Sequence, residues 1–181
     1  MYFLETERIG LRPLTADDAS PEYLSWLNDP EVTRGIETGL FPTTPAALEA
    51  YLEAVSKSKS DLMFAIIDKA NGKHIGNCKL ANINWVNRNS QFGIIIGDKP
   101  SWGKGFGKEA CSLLVNYAFE KLNLHKVWLI VYANNPAAQA IYEKAGFVRE
   151  GCQKEQVFSE GTYVDTYLMA IFNPGSGAKT D

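Results

Sequence analysis

The sequence predicts a mixed α/β fold with a largely antiparallel sheet, and three observations carry that prediction. Asn71-Gly72 sits between two apolar, β-rich runs, as the turn of a hairpin does. Residues 105–122 place Phe106, Ala110, Leu113, Leu114 and Tyr117 at helical spacing, with Lys108, Ser112, Asn116 and Glu120 on the other side. Residues 126–132, Lys-Val-Trp-Leu-Ile-Val-Tyr, read as a buried strand, and Asn135-Pro136 then opens a helix as N-cap and first-turn proline.

The remaining elements follow in order. Residues 8–14 form a first strand on Ile9, Leu11 and Leu14. Thr15 caps a first helix, with Asp17 and Asp18 in its opening turn where negative charge is favoured, and the helix stops at Asn28-Asp29-Pro30. A polar stretch, residues 33–45, leads to a second helix over about residues 45–57. Strands are expected at residues 62–67, 74–85 and 91–97. Gly146 ends the helix that Asn135 opens, and residues 147–155 and 162–172 complete the sheet as a hairpin. Without repeats or linkers, residues 1–172 are expected to form one domain, followed by a mobile tail over 173–181 that lacks an apolar anchor.

Composition narrows the function. The chain has 181 residues, 45% of them hydrophobic and 22% charged, which is enough for a core without staples. A net charge of −3 argues against nucleic acid as partner. Cys78, Cys111 and Cys152 are odd in number and widely spaced, so reduced thiols are expected rather than disulfides or a metal site. No apolar run approaches the ~18 residues of a membrane span, so the expectation is a cytoplasmic enzyme with no membrane partner.

The segment Trp102-Gly103-Lys104-Gly105-Phe106-Gly107-Lys108 lies between a strand and an amphipathic helix. Glycines there free backbone amides for an anion, and the helix N-terminus adds partial positive charge. A nucleoside-triphosphate loop requires G-x-x-x-x-G-K-[ST]; Gly97 is one residue too far from Gly103-Lys104, and Gly105 stands where a hydroxyl should bind magnesium. Gly105, Gly107 and Ala110 satisfy a dinucleotide fingerprint, but Asn134-Asn135 stands where that fold needs an acidic residue after the next strand. A glycine-rich helix entry without a ligand would spend backbone entropy for no return.

This loop, together with residues 135–147, Asn-Pro-Ala-Ala-Gln-Ala-Ile-Tyr-Glu-Lys-Ala-Gly-Phe, resembles the GNAT superfamily of N-acetyltransferases. Leu11-Arg12-Pro13-Leu14, residues 26–32 and residues 165–169 suit the branch of ribosomal-protein alanine and amino-sugar N-acetyltransferases, in which a Trp at position 102 is common. The resemblance implies about seven strands and four helices, splayed at the central strands, and acetyl-CoA as co-substrate without a metal. It implies that Gly103, Lys104, Gly105, Phe106, Gly107 and Lys108 hold the CoA diphosphate. Ile95, Ile96 and Gly97 would lend backbone groups to the pantetheine arm. Asn135 and Lys144 would contact CoA, although Asn135 also reads as a simple cap and Lys144 as a solvated surface residue. Tyr142 would contact CoA and protonate the departing thiolate, with a core tyrosine on the apolar face of its helix as the plain alternative.

The general base is not legible. Gln91 occupies the strand where many relatives carry a Glu, leaving Glu37, Asp98 and Asp165 as candidates. Without a base, an amine of low pKa such as a peptide N-terminus (~8) is the easier acceptor. His74 and His125 each stand near a strand edge and read as core or solvated. Among the aromatics that could line an acceptor pocket (Tyr23, Trp26, Phe41, Trp85), Trp26 reads as core. The expected activity is direct attack of a primary amine, on a protein N-terminus, an amino sugar or another small molecule, upon the thioester. A CoA-binding sensor without turnover is the alternative, and the edge strand of the C-terminal hairpin would suit a homodimer.

Overall fold

The computed structural model describes residues 1–176. Eight strands, Leu4–Glu5 (β1), Ile9–Pro13 (β2), Leu62–Asp68 (β3), Lys73–Asn84 (β4), Asn89–Ile96 (β5), Lys126–Tyr132 (β6), Val148–Ser159 (β7) and Thr162–Phe172 (β8), form one sheet. Their order is β1-β2-β3-β4-β5-β6-β8-β7. Every neighbouring pair is antiparallel except β5 and β6, which run parallel.

The helices are Pro21–Leu27 (α1), Pro30–Thr33 (α2), Pro45–Ser56 (α3), Phe106–Glu120 (α4) and Pro136–Lys144 (α5). The expected single first helix is two pieces. Thr15 caps only a 3-10 turn, Ala16–Asp18, and Ser20 starts α1 by accepting the Tyr23 amide at 3.1 Å, with Pro21 at the first helical position. Asn28-Asp29-Pro30 ends α1 as expected, but Asp29 also caps α2 by accepting the Glu31 and Val32 amides. Together with the two-residue β1, α2 raises the count by one strand and one helix.

Alternation along β3 separates two cores. Phe64 and Ile66 join the cluster under α4 and α5; Ala65 and Ile67 join the one under α1 and α3. The buried face of α4 is Phe106, Ala110, Cys111, Leu114, Val115 and Ala118, with Leu113 and Tyr117 on its flanks. Each such Leu or Val contributes about 1.5–3 kcal/mol on burial. Cys78 and Cys111 are free and buried, and Cys152 is free and exposed. Of the expected tail, residues 177–181 lie outside the described residues. Asn173 is tied down, its Nδ2 donating to the Leu124 carbonyl at 3.1 Å, and Pro174–Ser176 forms a 3-10 turn.

Candidate active site

Only three rungs join β5 to β6: Asn89 to Lys126, Ser90 to Val127 and Gln91 to Trp128. Beyond them β5 stays paired with β4 as far as Ile96, and β6 stays paired with β8 as far as Tyr132. The two facing edges therefore part and leave a wedge bordered by strand backbone without a ladder partner. Phe92, the first residue past the last rung, packs its ring 6.3 Å from both Tyr142 and Phe147.

The loop turns off β5 at the mouth of this wedge. The Gly97 and Asp98 amides donate to the Ile75 carbonyl at 3.0 and 3.1 Å, so the Gly97 N–H faces β4 rather than the wedge. A Cβ at Gly97 would run into the Trp26 indole, which is buried as expected. After the 3-10 turn Lys99–Ser101, the Trp102 indole donates to the Ile96 carbonyl at 2.8 Å and ties the loop back to the strand end. Gly103 and Gly105 take φ of 73° and 85°, a region that disfavours side chains, and Gly105 becomes the N-cap of α4. The first main-chain bond of the helix is Glu109 to Gly105. Among the described residues, none of the six amides from Gly103 to Lys108 donates to a protein acceptor. Six unspent donors at the positive end of a 15-residue helix, flanked by the exposed Lys104 and Lys108, fit a diphosphate.

Helix α5 closes the other side. A Cβ at Gly107 would lie 3.7 Å from Ile141 and 3.8 Å from Ile96, so loop, strand end and α5 meet at one point. Asn135 caps α5, its Oδ1 accepting the Ala138 amide at 3.1 Å. Its Nδ2 lies against Gly35 of the stretch that follows α2. Tyr142 is 8% exposed, and burial pushes its phenol well above the ordinary value. Its hydroxyl makes no hydrogen bond within the described residues. Lys144 is exposed one turn beyond Ile141.

The candidate bases separate clearly. Asp98 is buried; desolvation raises its carboxyl, but Lys73 at 2.7 Å and the Ser101 hydroxyl at 2.5 Å outweigh this and hold it below the ordinary value. Asp165 is lowered first by Lys154 at 2.7 Å and then by the Glu155 amide at 2.9 Å. Both are spent as acceptors. Glu37 lies in the exposed 3-10 turn Glu37–Leu40 without an ion pair among the described residues, and after burial its charge is the second cause that raises the Tyr132 phenol at the end of β6. Gln91 holds the last rung before the wedge. His74 is packed beneath α1, its ring 5.1 Å from Trp26, and burial lowers its pKa. The His125 ring meets the Phe172 ring edge-on, their centres 5.8 Å apart. Trp85 and Phe41 are exposed, whereas Tyr23 is core. No group of three or more His, Cys, Asp or Glu among the described residues could hold a metal, and no helix there is long and apolar enough to cross a membrane.

The loop over residues 103–108 and Tyr142, both singled out by residue types and spacing, lie beside this wedge, and Asn135 caps the helix that carries Tyr142. Residue types and spacing missed Phe92, Ile141 and the bond from Trp102 to Ile96, whose only sequence signal is apolar bulk near the glycines.

Residues 8–148 match the family model described as an acetyltransferase (GNAT) domain. The spermidine N(1)-acetyltransferase of Vibrio cholerae is 39% identical over 106 residues, which span 59% of this chain and 61% of that enzyme. The crystal structure of spermidine N-acetyltransferase from Vibrio cholerae in complex with CoA and spermine superposes with a TM-score of 0.84 at 30% identity, covering 93% of this chain and 97% of that one. A dodecameric structure of the Vibrio cholerae enzyme in an intermediate state gives 0.79 at 29% identity, covering 97% and 100%.

Proposed function

This chain belongs to the GNAT acetyltransferases, and from that premise we propose that it transfers the acetyl group of acetyl-CoA to a primary amine of a polyamine such as spermidine. The observation that carries the reading is the run of six unspent amides at the head of α4, set at the mouth of the wedge between β5 and β6. The amides of residues 103–108 bind the diphosphate, with Lys104 and Lys108 adding charge. The unladdered edge of β5 near Ile95 and Ile96, where the Ile96 carbonyl already accepts the Trp102 indole, pairs through its remaining groups with the amide-bearing pantetheine arm. The wedge holds thioester and amine in line, and an unladdered N–H at its border receives the oxygen as it turns negative.

Tyr142 keeps its proton at every physiological pH, because burial raises its phenol. A thiolate leaving into the same apolar wedge is raised for the same reason, so the difference between donor and acceptor decides the transfer. The polyamine preference is supported by the similar spermidine enzymes and by Glu37. A polyamine ammonium near pKa ~10 is neutral in only about one molecule in a thousand at neutral pH, so the acceptor must shed a proton. Glu37 has no ion pair to break among the described residues, lies close enough to Tyr132 to raise its phenol, and takes that proton through water while attracting the remaining ammonium groups. This answers the objection that a chain with Gln91 on the strand should prefer a weakly basic amine. A homo-oligomeric assembly is part of the reading, supported by the dodecameric similar structure and by β7, a 12-residue edge strand that is mostly exposed.

The test is thiol release from acetyl-CoA with spermidine, an amino sugar and a peptide N-terminus. Spermidine should turn over fastest, and Glu37→Gln should raise its KM about fivefold to tenfold without changing CoA affinity. Preference for the peptide would remove the polyamine assignment. CoA binding without turnover of any amine would leave the sensor reading standing.

A further inference from the structure

We propose that Arg8 is a positioning residue for the coenzyme, latching the loop 103–108 from the turn between β1 and β2 and screening Glu109 from the diphosphate. The inference rests on the reading of that loop as the diphosphate cradle. Arg8 lies 96 residues from Lys104 in sequence, yet its Nη1 donates to the Lys104 carbonyl at 3.0 Å. Its Nε donates to Glu109 Oε2 at 2.9 Å, and Nη2 donates to the same oxygen. The guanidinium carbon stands 5.1 Å from the centre of the Phe106 ring, and Nη2 lies 3.6 Å from where a Cβ of Gly105 would be. One planar group thus touches four of the residues 104–109, on the flank of α4.

The turn that carries Arg8 is itself organised for this contact. The Thr6 hydroxyl oxygen accepts the Ile9 amide at 3.1 Å and the Arg8 amide at 3.3 Å, and the hydroxyl donates to Glu109 Oε1. Both carboxylate oxygens of Glu109 are therefore engaged from the same turn.

Charge explains why such a latch is needed. Glu109 stands in the first turn of α4, where a carboxylate steadies an isolated helix. That same helix end must receive a diphosphate, and two anions at one terminus oppose each other. Arg8 cancels the resident one. By holding the Lys104 carbonyl, it also fixes the peptide plane between Lys104 and Gly105, one of the six that present unspent amides. A lysine in its place could neutralise Glu109, but it lacks the planar fork that reaches both acceptors.

Screening predicts an asymmetry that a merely structural ion pair would not show. Removing the cation should hurt coenzyme binding; removing the anion should not. The experiment is calorimetric CoA binding together with steady-state kinetics on wild type, Arg8→Met, Arg8→Lys, Glu109→Gln and Arg8→Met/Glu109→Gln. Arg8→Met should weaken CoA about tenfold and raise the acetyl-CoA KM in parallel, with kcat within about twofold. Arg8→Lys should lose about threefold. Glu109→Gln should bind CoA as tightly as wild type or more so, and the double variant should recover most of the loss. Equal losses in Arg8→Met and Glu109→Gln would make the pair structural and overturn the proposal, as would unchanged affinity in Arg8→Met. Should Arg8→Met fail to fold, Arg8→Lys against Glu109→Gln decides by the same asymmetry. A wild type without affinity for CoA would refute the cradle instead, a result distinct from any of these.

Discussion

In the proposed reading, the coenzyme side of the wedge and its acceptor side, the segment over residues 28–43, are built by different means. On the coenzyme side the working groups are main-chain amides, presented by residues 103–108 and fixed by an apolar helix whose Ala110, Cys111 and Leu114 are fully buried. On the acceptor side, side chains make the structure. Asn28 clasps Thr43 by two bonds of 2.9 Å, Lys99 bridges Asp29 at 2.8 Å and Glu31 at 2.6 Å, and Leu40 and Phe41 stand 66% and 78% exposed. The difference matches the tasks. On that reading, a carrier common to many reactions would be gripped through groups every residue owns, whereas the choice of amine would be left to side chains that substitution can change without touching the grip.

The largest expected effect falls where the two sides meet. Tyr142→Phe should lower kcat about 100-fold while CoA affinity stays within about twofold, measured by rapid thiol release and calorimetry. A full-rate variant would return Tyr142 to the core. A smaller effect isolates the coenzyme side: Gly105→Ala places a side chain at φ 85° and should cost about 1–2 kcal/mol, read as CoA affinity weakened about fivefold to thirtyfold with the spermidine KM unchanged. A shift in the spermidine KM alone would break the division of labour.

The smallest effect concerns acid. Beneath α1, Arg12 forks onto Asp18 at 2.9 and 2.6 Å. Desolvation raises the Asp18 carboxyl, but Arg12 and the Thr15 amide outweigh it, and the net value lies below 3.8. The stability this gives is fully present above the unfolded value and is lost as pH falls through the lower folded one. Asp18→Asn should therefore cost about 1–2 kcal/mol at neutral pH, with its curve of stability against pH approaching that of wild type as pH falls through the lowered folded value of Asp18. Curves that stay apart in acid would remove the pair as a source of acid sensitivity.

The same division governed what could be read in advance. Phe106–Glu120 and Pro136–Lys144 are written in helical period and in caps, both local signals, and their starts fall within a residue of expectation. Ser20-Pro21 and Asp29-Pro30 are also local signals, but a proline marks a start as readily as a stop, so the start at Ser20 hides inside the expected first helix and Asp29-Pro30 reads only as its end. β1 is too short for a period to register. The pairing of Arg8 with Glu109, like the place of Glu37 near Tyr132, depends on residues about 100 apart in the chain and leaves no local trace. Asp98 and Asp165 looked equal to Glu37 as bases because nothing nearby in sequence shows that Lys73 and Lys154 already occupy them.

Trp102 gives the protein an optical handle. Its indole is 39% exposed and bonded to the last residue of β5, while Trp26 is sealed in the core. With Trp85, which is 53% exposed, and the half-buried Trp128 replaced by Phe, emission from position 102 would report solvent at the wedge mouth. On the proposed reading, an arriving coenzyme would then shift the colour of that one ring, with no dye attached.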